Sequence, residues 1–296
     1  MILITGATGK IGQELVLDLS ARRSHFKVMV RSKEAVKAME AKGLKAVFGD
    51  FDHPETYAGA LTDVQSVFLL ATPQPDGLAI ERKFLAACKA KDVHHVVRLS
   101  AMGANPWSSS ALLRNHGRCE AELEDSGLPW TILRPTIFMQ NLVAYMGQSI
   151  AKESTLYAPA GDASMPWVDT RDIAAVAGTV LTAKGHEGLV YELTGPESLT
   201  YAQVAERLSQ LLKRQITYVN VPDGAAHQAM VAMGMSPWLA EGMITLYHHF
   251  RTNGPTAQVL QTVERIAGHA PRNLTAYLKE NEAAFKSLQH AEVLRK

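Results

Sequence analysis

The sequence predicts an α/β fold, a doubly wound parallel sheet with a smaller, mostly helical lobe attached. Three observations predict it. Short apolar runs alternate with helical patterns as far as Pro135. The first run passes directly into Gly6, Gly9 and Gly12, and a helical pattern follows. Beyond Arg134 and Pro135 the alternation stops. Repeating βα units of this length set parallel strands side by side with helices on both faces, and ligands bind beyond the carboxyl ends of the strands.

Each element follows from local pattern. Met1 to Thr5 form an apolar strand, and Ile11, Leu15 and Leu19 recur at helical spacing over Lys10 to Ala21. A second strand over Phe26 to Val30, a helix over Lys33 to Ala41 and a strand over Leu44 to Phe48 complete the next unit. A short helix from Pro54, a strand Val64 to Leu70 and a helix Leu78 to Ala90 come next. Strands His94 to Leu99 and Trp130 to Leu133 flank a helix that ends near Gly127. A helix from about Phe138 to Ile150 precedes the link APAGDASMP. Thr170 to Thr182 reads as a helix, Leu189 to Leu193 as a strand and Tyr201 to Leu212 as a helix, with further helical segments after Pro222. The charged stretch Lys279 to Lys296 also looks helical. The expected division is therefore 1–135 for the sheet domain, with 155–195 returning to it, and 136–296 for the smaller lobe.

Bulk properties exclude several classes. A formal charge of +1 with no run of Lys or Arg leaves no electrostatic footprint for nucleic acid. Cys88 and Cys119 are too few for a disulfide framework and read as packing residues, which suits a cytoplasmic protein. The first apolar residues meet glycine at once without a basic region before them, as expected of a strand rather than a signal peptide. No run is long enough to span a membrane. Homo-oligomerisation stays open.

The glycines carry the first chemistry. Gly6 permits the tight turn, Gly9 lets backbone approach a pyrophosphate and Gly12 lets the helix pack on the strand, so Gly6 to Gly12, including Thr8, Lys10 and Ile11, reads as a dinucleotide cradle of the Rossmann type. The second strand ends in Arg31, with Ser32 and Lys33 next and no carboxylate for a ribose diol. A guanidinium and an ammonium there suit the extra phosphate of NADP, so NADP(H) is preferred to NAD(H). Asp50 and Phe51 follow the third strand, where adenine lies. Ala71 and Thr72 close the fourth strand, Ser100 the fifth and Pro135 the sixth, toward the nicotinamide half. Thr72 and Ser100 serve equally well as turn caps.

TGATGKIG, the terminal Arg31, GDFDHP at Gly49 to Pro54 and LPWTILRP at Leu128 to Pro135 together resemble the NmrA-like branch of the atypical short-chain dehydrogenases. The resemblance is to its bacterial quinone, azo-dye and triphenylmethane-dye reductases in particular. It covers most of the chain and loosens after about Ala183. Superfamily members that oxidise alcohols or epimerise sugars carry Tyr-x-x-x-Lys on the helix after the fifth strand. Here that helix reads LLRNHGRCEAELEDSG, placing His116 and Glu120 one turn apart in those positions. At that spacing the carboxylate can hydrogen-bond the imidazole and raise its basicity, or the pair can serve helix stability alone.

A ketone needs an acid on its oxygen as hydride arrives, whereas a quinone or cationic dye delocalises or cancels the charge and needs mostly proximity. The resemblance thus implies an NADPH-dependent reductase of a small aromatic electrophile, with His116 and Glu120 as catalytic candidates. The alternative is a non-catalytic NADP(H) sensor that reports to a protein partner.

A flat acceptor needs an apolar slot with a few polar groups. Phe138, Met139, Gln140 and Asn141 follow the sixth strand, Tyr145 lies on the next helix, and Trp107 and Trp167 lie on loops. Each alone reads as core, and their joint place near strand ends favours a substrate wall. From these Phe138, Asn141, Tyr145 and Trp167 are retained as candidates, together with Trp238. Met230, Met233, Met235, Trp238, Met243 and Tyr247 fill His227 to Phe250 and read first as core filling, otherwise as a lid. The pairs His94/His95 and His248/His249 diverge in direction and have no ligand cluster beside them, so no metal is expected. A GxSxG elbow is absent, which removes an esterase triad.

Overall fold

The computed structural model describes residues 1–252 and 257–286. They divide into two compact units, one of Met1–Ser108, Leu113–Arg134 and Arg171–Glu192, the other of Ser109–Leu112, Pro135–Thr170 and the described residues from Leu193 onward.

The first unit is built on β1 (Ile2–Ile4), α1 (Lys10–Ala21), β2 (Phe26–Val30), α2 (Lys33–Glu40), β3 (Ala46–Phe48), a 3-10 turn Pro54–Thr56, α3 (Tyr57–Ala60) and β4 (Ser66–Leu69). Next come α4 (Gly77–Ala90), β5 (His95–Leu99), α5 (Ala111–Asp125) and β6 (Trp130–Pro135), and later α7 (Thr170–Thr182) and β8 (Leu189–Leu193). The strands lie in the order β3-β2-β1-β4-β5-β6-β8. Pairing is parallel from β3 through β6. Chain order reverses between β1 and β4, and the crevice at such a switch point is where a doubly wound sheet takes its ligand.

Sequence dictates these elements directly. Ile2, Leu3 and Ile4 are buried, and so are Ile11, Leu15 and Leu19 along one side of α1. Tyr57, Phe84 and Leu123 join Leu3 and Val67 in one apolar cluster. β5 is buried at all five residues, as a central strand covered on both faces must be.

The second unit contains the five-residue turn Leu142–Met146, α6 (Gly147–Glu153), β7 (Thr155–Ala158), α8 (Tyr201–Leu212), β9 (Thr217–Asn220), α9 (Asp223–Ala232) and α10 (Pro237–Arg251). It closes with α11 (Thr262–Ala267), α12 (Leu274–Glu280) and α13 (Glu282–Lys286). Its core is mainly aliphatic, with an aromatic group set into it. Trp167 meets Tyr201 edge to face at 5.1 Å, and Tyr201 stacks on Tyr218 at 5.6 Å.

Four expectations change. The second unit is not helical alone, since TLYA and TYVN pair as the parallel ladder β7·β9 from Thr155↔Thr217 to Ala158↔Asn220. Because β7 takes its backbone partner from β9, residues 155–170 stay with this unit, and only Arg171–Glu192 returns to the large sheet. The helix expected from Phe138 starts later. Phe138 still bridges Val168 in extended fashion, Leu142–Met146 winds as a π turn, and the regular helix is Gly147–Glu153. In the C-terminal charged stretch, α12 and α13 break the helix at Asn281, and residues 287–296 lie outside the described residues. No helix among the described residues is long and apolar enough to cross a membrane.

Candidate functional site

The cradle of the first unit is shaped by what its glycines lack. Gly6 has a φ of +64°, and a Cβ there would lie 2.8 Å from Leu70 Cγ. A Cβ on Gly12 would stand 2.1 Å from the Gly6 carbonyl oxygen, so only glycine lets α1 start this close to the turn. Gly9 caps α1 without any side-chain hydrogen bond, and a helix start capped in this way suits an anion. These features fit a pyrophosphate. Thr8 and Lys10 are exposed, whereas the Ile11 side chain is buried, so Ile11 offers only backbone. The surrounding protein lowers the Lys10 ammonium to about 8, although the residue keeps solvent exposure.

Thr5, missed by the sequence reading, fixes the cradle to the sheet. Its hydroxyl bonds the Phe68 carbonyl at 2.9 Å and accepts from the Leu70 N–H at 2.8 Å. A hydroxyl buried at the end of an apolar strand is the signal that could have exposed it.

Arg31 and Lys33 are exposed and have no ion pair among the described residues. Ser32 caps α2, its Oγ accepting from the Ala35 N–H at 3.0 Å. Asp50 accepts the Asp52 N–H on one carboxylate oxygen at 3.1 Å. Phe51 packs edge-on against Phe84 at 5.2 Å and stays half-buried. Ala71 is half-buried, Thr72 is exposed and Pro135 is buried at the end of β6. Ser100 is buried and donates its hydroxyl to Glu120 in a very short hydrogen bond, so it holds α5 to the end of β5.

The expected His116–Glu120 pair is not formed. Glu120 is 3% exposed and takes Arg134 through both carboxylate oxygens, Nε to Oε1 at 3.0 Å and Nη2 to Oε2 at 2.5 Å. A bidentate guanidinium outcompetes a neutral imidazole for a buried carboxylate. His116 instead turns Nδ1 toward Arg98 Nη1 at 3.5 Å. Burial, then the Arg98 charge, lower its pKa to about 3. The imidazole is neutral at physiological pH and is no reservoir of protons.

Arg98 and Glu81 were also missed. They form a buried bidentate pair with Nε–Oε2 at 2.7 Å and Nη2–Oε1 at 2.9 Å. Burial opposes the guanidinium charge, and Glu81 outweighs it. An arginine inside the apolar run HVVRL was the available signal, because a charge in a central strand needs a partner. Gly117 beside His116 lets the loop at Asn105 and Pro106 lie on α5, since a Cβ would come within 2.3 Å of both. Burial raises the thiols of Cys88 and Cys119 to about 12, which suits packing rather than nucleophilic chemistry.

The second unit holds an apolar cavity of about 360 Å³. Asn141, Tyr145, Ser149 and Lys152 line it at helical spacing, together with Met230, Met233, Met235, Met243 and Tyr247. Asn141 and Tyr145 thus line the same cavity, and the methionines of 227–250 line it too, while Met230 and Met243 also pack against the core. Three candidates do not reach it. Trp167 is 1% exposed with its Nε1–H donated to the Leu199 carbonyl at 3.2 Å, a core residue. Phe138 is held in its bridge to Val168, and Trp238 lies a turn before the cavity residues of α10.

The chain matches the family model for NAD(P)H-binding proteins over residues 6–184. It is 37% identical to the NAD(P)H azoreductase of Xenophilus azovorans, over 96% of this chain and 99% of that protein. It is 33% identical to a (4-alkanoyl-5-oxo-2,5-dihydrofuran-3-yl)methyl phosphate reductase of Streptomyces griseus, again over 96% and 99% of the two chains. The crystal structure of the NADPH-dependent quinone oxidoreductase QOR2 of Escherichia coli with NADPH superposes with a TM-score of 0.85 at 26% identity, covering 95% of this chain and 99% of that one.

Proposed function

Because this chain belongs to the NAD(P)H-binding family and is an NAD(P)H-dependent oxidoreductase of its NmrA-like branch, we propose that it uses NADPH to reduce a conjugated electrophile, a quinone or an azo- or triarylmethane-type dye. The observation that carries this reading is the chemistry of α5. It presents no phenol, its Glu120 is committed to Arg134 and Ser100, and its His116 is neutral. A site without an acid cannot protonate an isolated ketone as charge develops, so it suits an acceptor that stabilises its own charge.

When bound, the reduced nicotinamide supplies the hydride. The chain supplies the cradle of Gly6 to Gly12 for the pyrophosphate, and exposed Arg31 and Lys33 for the ribose phosphate. The relatives named for azo and butenolide phosphate reduction act on conjugated acceptors, in line with this class. In the second unit, methionine thioethers and Tyr247 offer a polarizable lining that suits a flat aromatic guest.

Following NADPH absorbance against a panel of quinones, azo dyes and triarylmethane dyes tests the proposal. Acceptor-dependent oxidation is expected. Tight NADPH binding with no acceleration by any acceptor would return the sensor reading.

A further inference from the structure

We propose that Lys152 is the specificity-determining residue of the apolar cavity, and that the cavity selects flat conjugated acceptors bearing a carboxylate or sulfonate over uncharged or cationic ones. The inference deepens the reductase reading above and rests on it for its catalytic meaning.

The lining is almost wholly uncharged. The thioethers of Met230, Met233 and Met243 and the rings of Tyr145 and Tyr247 supply a polarizable bed, and among the lining residues only Lys152 and Glu153 carry a full charge. These two charges are not equivalent. Glu153 accepts the Tyr157 hydroxyl at 2.9 Å, whereas Lys152 has no hydrogen bond or ion pair among the described residues. Acids on neighbouring elements are engaged as well. Asp223, at the start of α9, takes Arg251 through both carboxylate oxygens at 2.8 and 2.9 Å, and Glu282 on α13, which packs on α6, holds Lys286 at 2.5 Å.

Lys152 stands in the last turn of α6, exposed and yet part of the cavity lining. A lysine so placed lays its methylene stem along apolar surface and keeps its ammonium in water. Two lining hydroxyls are already bonded, Tyr247 to the Tyr201 hydroxyl at 2.8 Å and Ser149 to the Met146 carbonyl at 3.0 Å. An acidic substituent on a guest therefore meets one uncommitted cation, at an edge where it need not be stripped of water.

The consequence is an order of preference. With the conjugated body against the thioethers, an anionic substituent is attracted by Lys152, an uncharged one is indifferent to it and a cationic one is repelled. Azo and quinone acceptors with acidic substituents are thus favoured over cationic triarylmethane dyes. The attraction is that of an exposed charge pair, so it is severalfold in affinity and weakens with salt.

Calorimetry of the full chain with saturating NADP+, which carries no hydride to give, measures the selection apart from turnover. The probes are the azo dye para-hydroxyazobenzene and two derivatives, one with a carboxylate and one with a trimethylammonium group on the second ring. Wild type is expected to bind the carboxylate about two- to fivefold more tightly than the parent dye at low salt, and the ammonium derivative more weakly than the parent. Lys152→Ala should level the three, and Lys152→Glu should reverse their order. Lys279→Ala removes the same charge from α12, outside the lining, and should leave the order intact. Both Lys152 variants should melt near wild type, because the side chain is exposed. Equal affinity for carboxylate and parent dye in wild type, binding of neither, or an order that survives Lys152→Ala overturns the inference. An order lost equally in Lys279→Ala overturns it too. Failure of the reductase reading looks different: the order of binding still follows Lys152 while no acceptor in the panel consumes NADPH, and the cavity then stands as an anion-selective ligand site without turnover.

Discussion

Glu120 gives both carboxylate oxygens to Arg134, at 3.0 and 2.5 Å, although His116 lies one turn earlier on the same helix. The pair ties α5 to the end of β6, and Ser100 adds the end of β5 through the same carboxylate. Three elements are thus joined at one buried charge. Removing the arginine strands that charge in the interior. Arg134→Ala is expected to cost about 3 kcal/mol in urea denaturation, against less than about 1 kcal/mol for His116→Ala. Equal losses would mean that the carboxylate serves both partners alike.

Arg31 is the residue proposed to set nucleotide choice. It is exposed just before Ser32, whose hydroxyl is taken by the α2 cap. A charged hydrogen bond to phosphate contributes about 1.5–3 kcal/mol. Arg31→Ala should therefore weaken NADPH about tenfold or more by titration calorimetry and leave NADH unchanged. A parallel loss for both nucleotides would place Arg31 outside phosphate recognition.

Gly12 and Gly9 separate packing from loop chemistry. A Cβ at Gly12 meets the Gly6 oxygen at 2.1 Å and the Ala7 Cα at 2.7 Å, whereas a Cβ at Gly9 meets the Gly6 oxygen at 3.3 Å. Only the first collides with backbone that cannot move aside. Gly12→Ala should lower stability by about 1–3 kcal/mol and abolish measurable NADPH binding, while Gly9→Ala keeps a near-native melting temperature.

The cradle glycines were readable because their constraints are local. Three glycines between a strand and a helix need only sequence neighbours to be understood. Glu120 needed more, since its i−4 neighbour His116 competes with an arginine on another strand and only geometry decides between them. Thr155 to Ala158 and Thr217 to Asn220 are four-residue strands that pair far apart in sequence, so their pattern was too short to stand out from a link. Trp167 followed the same logic. A tryptophan on an irregular segment gives no periodicity, and only its edge contact with Tyr201 shows it to be core.

His116 makes stability depend on pH in a stated direction. Its folded pKa, about 3, lies below the unfolded value of about 6.5, so the unfolded chain binds the extra proton between these values. Stability is full above pH 6.5 and falls as pH drops toward 3, at up to about 1.4 kcal/mol per unit from this residue. His95, its pKa lowered chiefly by burial, acts in the same sense. Wild type should lose more stability than His116→Asn between pH 7.5 and 5.5 in paired urea titrations. Identical losses would show that the ring titrates alike in the folded and the unfolded chain.

Trp167 and Tyr145 should respond oppositely, because one aromatic is enclosed and the other lines a cavity. Trp167 is 1% exposed, with its ring edge against Tyr201 and its N–H satisfied by Leu199, so Trp167→Ala opens a void in the second unit. Large-to-small changes of this kind cost about 3–5 kcal/mol. Tyr145 is 45% exposed at the cavity wall, and Tyr145→Ala gives up little buried area. Its expected signature is a severalfold rise in KM for a dye acceptor, with a melting temperature within a few degrees of wild type. Steady-state kinetics and thermal unfolding on both variants decide the matter. A Tyr145→Ala protein with unchanged KM for every acceptor would remove the cavity from substrate binding, and the methionines of 230–243 would then be packing that encloses an empty space.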